Sequence, residues 1–128
     1  AALGLQQRVR FYGWVSGAEK QALFDQADIF CLPSRYDSFG MGYLEAMANG
    51  LPVVAYDWGP VTDVVADQRC GYLAKEHTPA ALAESIKRMA SVDCRRAQGE
   101  AAKVWVLEQF AAARVAQDVK RLLESLCQ

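Results

Sequence analysis

The spacing of hydrophobic and polar positions changes several times along the chain, and each change predicts an element. Val9-Arg10-Phe11-Tyr12-Gly13-Trp14-Val15 is β-rich, alternates and stops at Ser16-Gly17, so it predicts a strand. Ser16 followed by Glu19 has capping-box spacing, in which each side chain satisfies a free backbone N–H at a helix start. A helix is expected from there through about Gln26, with Ala22, Leu23 and Ala27 as its apolar stripe. Asp28-Ile29-Phe30-Cys31-Leu32-Pro33 is a short apolar run of the kind that forms a strand buried on both faces of a parallel sheet. Cys31 within it reads as a buried small hydrophobe.

A loop, Ser34-Arg35-Tyr36-Asp37-Ser38-Phe39-Gly40, leads to a helix from about Met41 to Asn49, closed by Asn49-Gly50. Val53-Val54-Ala55-Tyr56 is the next strand. Gly59-Pro60 opens a short helix with Val61, Val64 and Val65 as its apolar face. Gly71-Tyr72-Leu73-Ala74 is a last brief strand. Thr78-Pro79 pairs a cap residue with proline at the first helical position. The pattern then stays helical to Leu126, with breaks near Ser91 and Phe110, and reads as a packing layer with its charges outside. Strands alternating with helices argue for βαβ units and a parallel sheet. The fold class is α/β, doubly wound or part of such a fold.

Composition narrows the function. The chain has 128 residues, 52% of them hydrophobic, which supports one globular domain with a real core. Lys and Arg number 14 against 15 Asp and Glu, so no excess of either sign points to nucleic acid. No apolar run approaches the ~18 residues needed to span a bilayer, and the N-terminus has no basic-then-apolar signal pattern. Residue 1 is Ala, so a processed chain or a piece of a longer one is expected. The four cysteines are widely spaced and His77 is the single histidine, which argues against a zinc site and a His-dependent triad. Reduced thiols and a cytoplasmic location follow. No metal or cofactor is expected.

Ligands of open α/β sheets sit beyond the carboxyl ends of the strands. Three segments end there: Leu32-Pro33-Ser34-Arg35, the loop from Asp37 to Met41, and Ala55-Tyr56-Asp57-Trp58-Gly59-Pro60. The helix after Phe39-Gly40 would aim free N–H groups and a partial positive charge into the crevice. Gly40 and Gly42 would let a phosphate or sugar oxygen approach the backbone. Asp37 and Glu45 bracket the helix start, the latter roughly 6–8 Å along its axis at 1.5 Å per residue. Carboxylates beside an anion site suit hydroxyl recognition, because one carboxylate can hold a diol. Diphosphate plus sugar hydroxyls describes a nucleotide sugar. Against these readings stand plainer ones: Glu45 as a solvated first-turn acid, Asp37 as an Asx-turn residue, Arg35 as a solvated loop residue rather than a phosphate contact. Asp57 and Trp58 either line the crevice or pack, His77 reads as a surface residue, and Tyr43, Leu44, Met47 and Ala48 read as core.

The string Pro33-Ser34-Arg35-Tyr36-Asp37-Ser38-Phe39-Gly40-Met41-Gly42-Tyr43-Leu44-Glu45-Ala46-Met47-Ala48-Asn49-Gly50-Leu51-Pro52-Val53-Val54-Ala55 resembles the signature of GT-B glycosyltransferases of family 4, roughly P-S-x-x-E-x-F-G-x-x-x-L-E-A-M-A-x-G-x-P-V-V-A. Phe11-Tyr12-Gly13-Trp14-Val15 is similar to that family's F-x-G-x-V strand. Asp63-Val64-Val65 before Gly71-Tyr72-Leu73 is similar to its E-V-V…G-x-L stretch. The resemblance covers about residues 8 to 90.

The resemblance implies a Rossmann-like parallel sheet with a C-terminal helical layer, the later part of the donor-binding C-terminal half of a GT-B enzyme, over residues 1–128. It also implies that Glu45 holds the ribose hydroxyls of the donor. Asp37 stands where the family has a Glu that contacts the donor sugar beside the reacting carbon, and it is one methylene shorter. Ser38, Phe39, Gly40, Met41 and Gly42 match the loop that binds sugar and diphosphate, with Ser34, Arg35, Asp57 and Trp58 bordering the donor crevice. The implied reaction is retaining and metal-independent, from a UDP-, GDP- or ADP-sugar to a glycan, lipid or small-molecule acceptor. The acceptor would bind an N-terminal domain that this chain does not match, and peripheral membrane association would belong to the parent. The family's upstream Arg/Lys pair and its first two strands also have no counterpart here. The isolated piece is therefore expected to be inactive, with the strand at Phe11 left unpaired, paired beside that at Ile29, or completed by a partner. The alternative is a non-catalytic nucleotide-sugar or dinucleotide-binding module, drawn from Gly40-x-Gly42 and Asp57. Its third glycine position holds Glu45.

Overall fold

The computed structural model describes residues 3–36 and 38–127. Its elements in chain order are α1 (Gly17–Gln26), β1 (Phe30–Cys31), α2 (Met41–Ala48), β2 (Val53–Tyr56), α3 (Val61–Val64), β3 (Gly71–Ala74), α4 (Pro79–Arg88), α5 (Val92–Phe110) and α6 (Ala112–Leu126). The strands form one parallel sheet in the order β1-β2-β3. Phe30 lies opposite Val53, and Val53 opposite Gly71.

β2 is the centre of this arrangement, and all four of its residues are buried. Strand side chains alternate between faces. Val53 and Ala55 enter a cluster with Tyr43 and Met47 of α2, Val61 and Val64 of α3, Leu73 of β3 and Ala102 of α5. On the opposite face α4 packs against β2 and β3, and its Arg88 lies 4.3 Å over the Tyr72 ring. Helices on both faces make this the α/β class that the strand–helix alternation predicts.

Local signals set most boundaries. Thr78 caps α4 by accepting the Ala81 N–H at 3.2 Å, with Pro79 following. Ser91 caps α5 through the Cys94 N–H. After Ala48, the Gly50 N–H donates to the Met47 carbonyl and the Leu51 N–H to that of Ala46, which ends α2 where Asn49-Gly50 predicts.

Five expectations are corrected. Residues 9–15 form no strand: Phe11 is 92% and Trp14 93% exposed. A strand needs a neighbour for its backbone groups and cover for its apolar face, and neither is present there. Ser16 sits at the N-cap of α1 but its side chain makes no capping bond, so the capping box does not close. Of the expected α1 stripe only Leu23 is half-buried, while Phe24 packs near Phe30 with ring centroids 6.3 Å apart. β1 is a two-residue edge strand, so Cys31 is exposed rather than core, although burial of its thiol pushes the pKa up. Finally, α6 packs along α5, and Val115, Val119, Leu122 and Leu126 stay exposed.

Two glycines permit the close packing. A Cβ on Gly71, at φ 151°, would fall on the Val53 carbonyl oxygen and lie 2.7 Å from that residue's nitrogen. A Cβ on Gly99 would strike the Gly50 carbonyl oxygen, so glycine lets α5 seat against the turn between α2 and β2. Gly71→Ala and Gly99→Ala should each cost about 3 kcal/mol or more in urea unfolding, because backbone rather than a movable side chain blocks the new methyl. A loss below ~1 kcal/mol in both would contradict this packing.

Candidate functional site

Parallel strands all end at the same sheet edge, so the loops after β1, β2 and β3 converge there. The Phe30 and Leu32 N–H groups continue the ladder to the Pro52 and Val54 carbonyls, carrying the chain out toward α2.

The entry to α2 is a glycine turn. Gly40 is its N-cap in the left-handed region at φ 90°, buried, and a Cβ there would lie 2.6 Å from the Tyr43 ring. Tyr43 itself is fully buried, donates its hydroxyl to the Leu32 carbonyl at 2.8 Å and meets the Phe30 ring edge-on. It therefore ties the helix start to the end of β1. At Gly42 an added Cβ would make ordinary contacts with Phe30 and Leu32, at 3.5 and 3.8 Å. Both missing side chains thus face protein, and their smallness is accounted for by turn and packing. The N–H groups of Met41 and Gly42 precede the first intrahelical bonds and carry the positive end of the helix dipole. Ser38, Phe39 and Met41 around them are exposed. The Phe39 ring meets that of Phe110 at the end of α5, with centroids 6.2 Å apart.

Glu45 lies on the side of α2 that faces α1. Lys20 donates to its Oε2 at 2.8 Å, and both side chains are about two-fifths exposed. A pair this exposed adds at most about 1 kcal/mol to stability, so its consequence is orientation: one carboxylate oxygen is held. Lys20 is the residue that sequence reading missed, because nothing local links positions 20 and 45. Gln21 and Asn49 form a second bridge between the same helices, at 2.6 Å.

The other expected crevice residues form a separate group. Trp58 donates its indole N–H to the Ser34 carbonyl at 2.9 Å, and its ring lies near that of Tyr36. The Arg35 guanidinium donates to the His77 carbonyl at 2.7 Å and lies 5.7 Å over the Tyr56 ring. His77 Nε2 bonds the Asp57 carbonyl at 3.0 Å, and its ring stacks on Tyr56 with centroids 5.0 Å apart. His77 is thus half-buried and packed, which corrects its reading as a surface residue. Asp57 takes part through its backbone, its N–H donating to the Ala74 carbonyl. Asp37 lies outside the described residues.

Among the described residues no group of three or more His, Cys, Asp or Glu could hold a metal ion, and no helix is long and apolar enough to cross a membrane. Concavities of about 410, 460 and 250 Å³ are lined, respectively, by residues such as Leu5 and Phe11, by Lys75 and Arg88, and by Pro52 and Arg96. None of these three is lined by residues of α2.

Comparison with known proteins matches residues 1–105 to the family described as glycosyl transferases group 1. A D-inositol 3-phosphate glycosyltransferase of Salinispora tropica is 42% identical over 97 residues, which are 76% of this chain and 20% of that protein. A phosphatidyl-myo-inositol mannosyltransferase of Mycobacterium leprae is 34% identical over 124 residues, 96% of this chain and 33% of that one. Among solved structures, a sucrose-phosphate synthase from Thermosynechococcus elongatus superposes with TM-score 0.81 at 31% identity, over 95% of this chain and 31% of its own. The chain therefore spans about a fifth to a third of the length of these proteins.

The two glycines of the α2 entry are separable by substitution. Gly40→Ala, which meets both a left-handed φ and the Tyr43 ring, should lower stability by about 2 kcal/mol or more, against under ~1 kcal/mol for Gly42→Ala. Denaturant titration of the two variants side by side checks the order, and the reverse order would contradict the turn described above.

Proposed function

This chain belongs to the glycosyl transferases group 1 family, and we propose that it is the donor-binding part of a glycosyltransferase that moves a sugar from a nucleoside diphosphate to an acceptor. The observation that carries this reading is the α2 entry. The segment matching the signature folds as strand, turn and helix, with an exposed helix start and a carboxylate alongside it held by Lys20.

The chemistry follows from these groups. A diphosphate at the start of α2 would meet the N–H groups of Met41 and Gly42 and the positive end of the helix. Ser38 and Phe39 border that position, and their exposure leaves it accessible. Glu45, with Oε2 engaged by Lys20, has Oε1 to accept from the ribose hydroxyls. As the sugar departs, negative charge grows on the diphosphate. Donors already aimed there stabilise that charge without reorganising, and no metal is invoked. Asp37 is assigned to the donor sugar by resemblance. Retention at the sugar carbon, and the choice among UDP, GDP and ADP, belong to the same proposal. Trp58 serves here as wall rather than ligand, because its indole N–H is engaged by the Ser34 carbonyl, and Asp57 borders the crevice with its backbone bonded to Ala74 and His77.

The acceptor falls to regions outside residues 1–128. The relatives named above act on inositol phosphate and phosphatidyl-inositol by their names, which places a polyol or a lipid headgroup among the acceptors worth testing. Transfer by the 128-residue chain alone is not expected.

A nitrogen-edited NMR titration of the chain with UDP, GDP and ADP tests the binding step. One nucleotide should move the amides of Phe39, Met41, Gly42 and Glu45, and Glu45→Gln should weaken it roughly tenfold or more, as for loss of a charged hydrogen-bond acceptor. Lys20→Met should weaken it less, because it frees the carboxylate without removing it. In a longer parent, turnover undiminished by Asp37→Ala with Glu45→Ala would end the catalytic reading.

A further inference from the structure

We propose that Arg35 and His77 are positioning residues: with Trp58 they close a clasp of three loops that holds the chain leading into α2. What the clasp positions rests on the donor-site reading above; that the clasp exists does not.

The three strands are parallel, so their following loops emerge side by side, and each loop is joined to both others. Trp58, after β2, donates to the Ser34 carbonyl after β1. Arg35, after β1, donates to the His77 carbonyl after β3. His77 returns to the Asp57 carbonyl after β2, and because a carbonyl can only accept, Nε2 carries the proton. Every loop thus supplies one side-chain donor and one backbone acceptor, and the circuit is closed. Tyr56 is its platform, with the His77 ring stacked on it and the Arg35 guanidinium near its face. A closed circuit restrains more than its separate bonds, since opening one link leaves two loops held at one point each.

This geometry also separates two roles for Arg35. A guanidinium that holds the His77 carbonyl while lying against Tyr56 would have to leave both to follow a phosphate. Its contribution to a ligand at α2 is therefore indirect, through the backbone of Ser34 and Tyr36 on either side of it. A site built on loops gains precision only when such supporting bonds fix those loops.

Three indole N–H groups make the clasp measurable without any ligand. Trp14 is 93% exposed and reports free solvent. Trp58 reports the clasp. Trp105, which donates to the Val64 carbonyl at 3.0 Å, reports the core. In Arg35→Ala the Trp58 indole should exchange with solvent about fivefold faster or more, while Trp105 changes less than about twofold, as local opening requires. His77→Phe, which keeps an aromatic face on Tyr56 but loses the donor, should do the same. It also carries the test should Arg35→Ala fail to fold. Arg35→Lys, able to donate to the same carbonyl, should recover most of the protection. Trp58 exchange that stays at the wild-type rate in the first two variants overturns the clasp, and so does an equal rise at Trp105.

The same samples titrated with UDP, GDP and ADP at two salt concentrations address the role. A positioning Arg35 predicts that Arg35→Ala binds roughly tenfold more weakly with the wild-type salt dependence. A direct phosphate contact would instead flatten that dependence and leave Trp58 protected, which overturns the positioning role. If the wild-type chain binds none of the three nucleotides, the donor-site reading fails while the indole exchange still decides the clasp.

Discussion

Two-sided pairing and two-sided cover of β2 is the constraint on which the remainder of this structure rests. Its backbone bonds β1 on one edge and β3 on the other, and its four side chains are buried between helices. That burial demands apolar residues at every position, which is why Val53-Val54-Ala55-Tyr56 shows no alternation. It also demands that β3 approach without a side chain at its first position, and Gly71 meets that demand opposite Val53. With the strands parallel, every connection must cross over through a helix, and every strand must deliver its following loop to the same edge.

What lies at that edge falls into two groups with different jobs. One is the entry to α2, where a buried Tyr43 fills the space a side chain on Gly40 would need and anchors the helix start to Leu32. In the proposed function its helix-start N–H groups and the Lys20-held Glu45 form the part suited to an anionic, hydroxyl-bearing ligand. In the other group, Arg35, Trp58 and His77 turn polar atoms toward backbone carbonyls of the protein, around the Tyr56 ring. On the proposed reading the first group serves recognition and the second support. For a chain of the glycosyl transferases group 1 family, the proposed site is thus a small surface: one turn, one helix start and one carboxylate.

Much of this was legible beforehand, for reasons that differ by element. β2, α3, β3 and α4 follow short-range rules, such as a four-residue apolar run, a proline after a cap or a glycine before a strand, and they form where those rules place them. Residues 9–15 obey a strand rule equally well and form none. Alternation records which residues could face a core, and it does not supply the neighbour that completes the hydrogen bonds. Cys31 is the milder case of the same error, since its run reads as interior while its strand lies at the described sheet's edge. The Ser16–Glu19 capping box fails at still shorter range, because Ser16 stands at the N-cap without its side chain reaching a backbone N–H.

Glu45 was a candidate on sequence, whereas its partner Lys20 and the engagement of His77 with Arg35 and Asp57 were invisible there. The sequence by itself determined the fold class, the order of elements from α1 onward, the position of the α2 entry and the family signature, because each is written in neighbouring residues. Only the tertiary structure decided that Arg35 faces a carbonyl, that His77 is stacked and that Glu45 is held from α1. Those contacts join residues 42, 21 and 25 positions apart, and their geometry exists only after the parallel sheet has gathered its loops and helices around it.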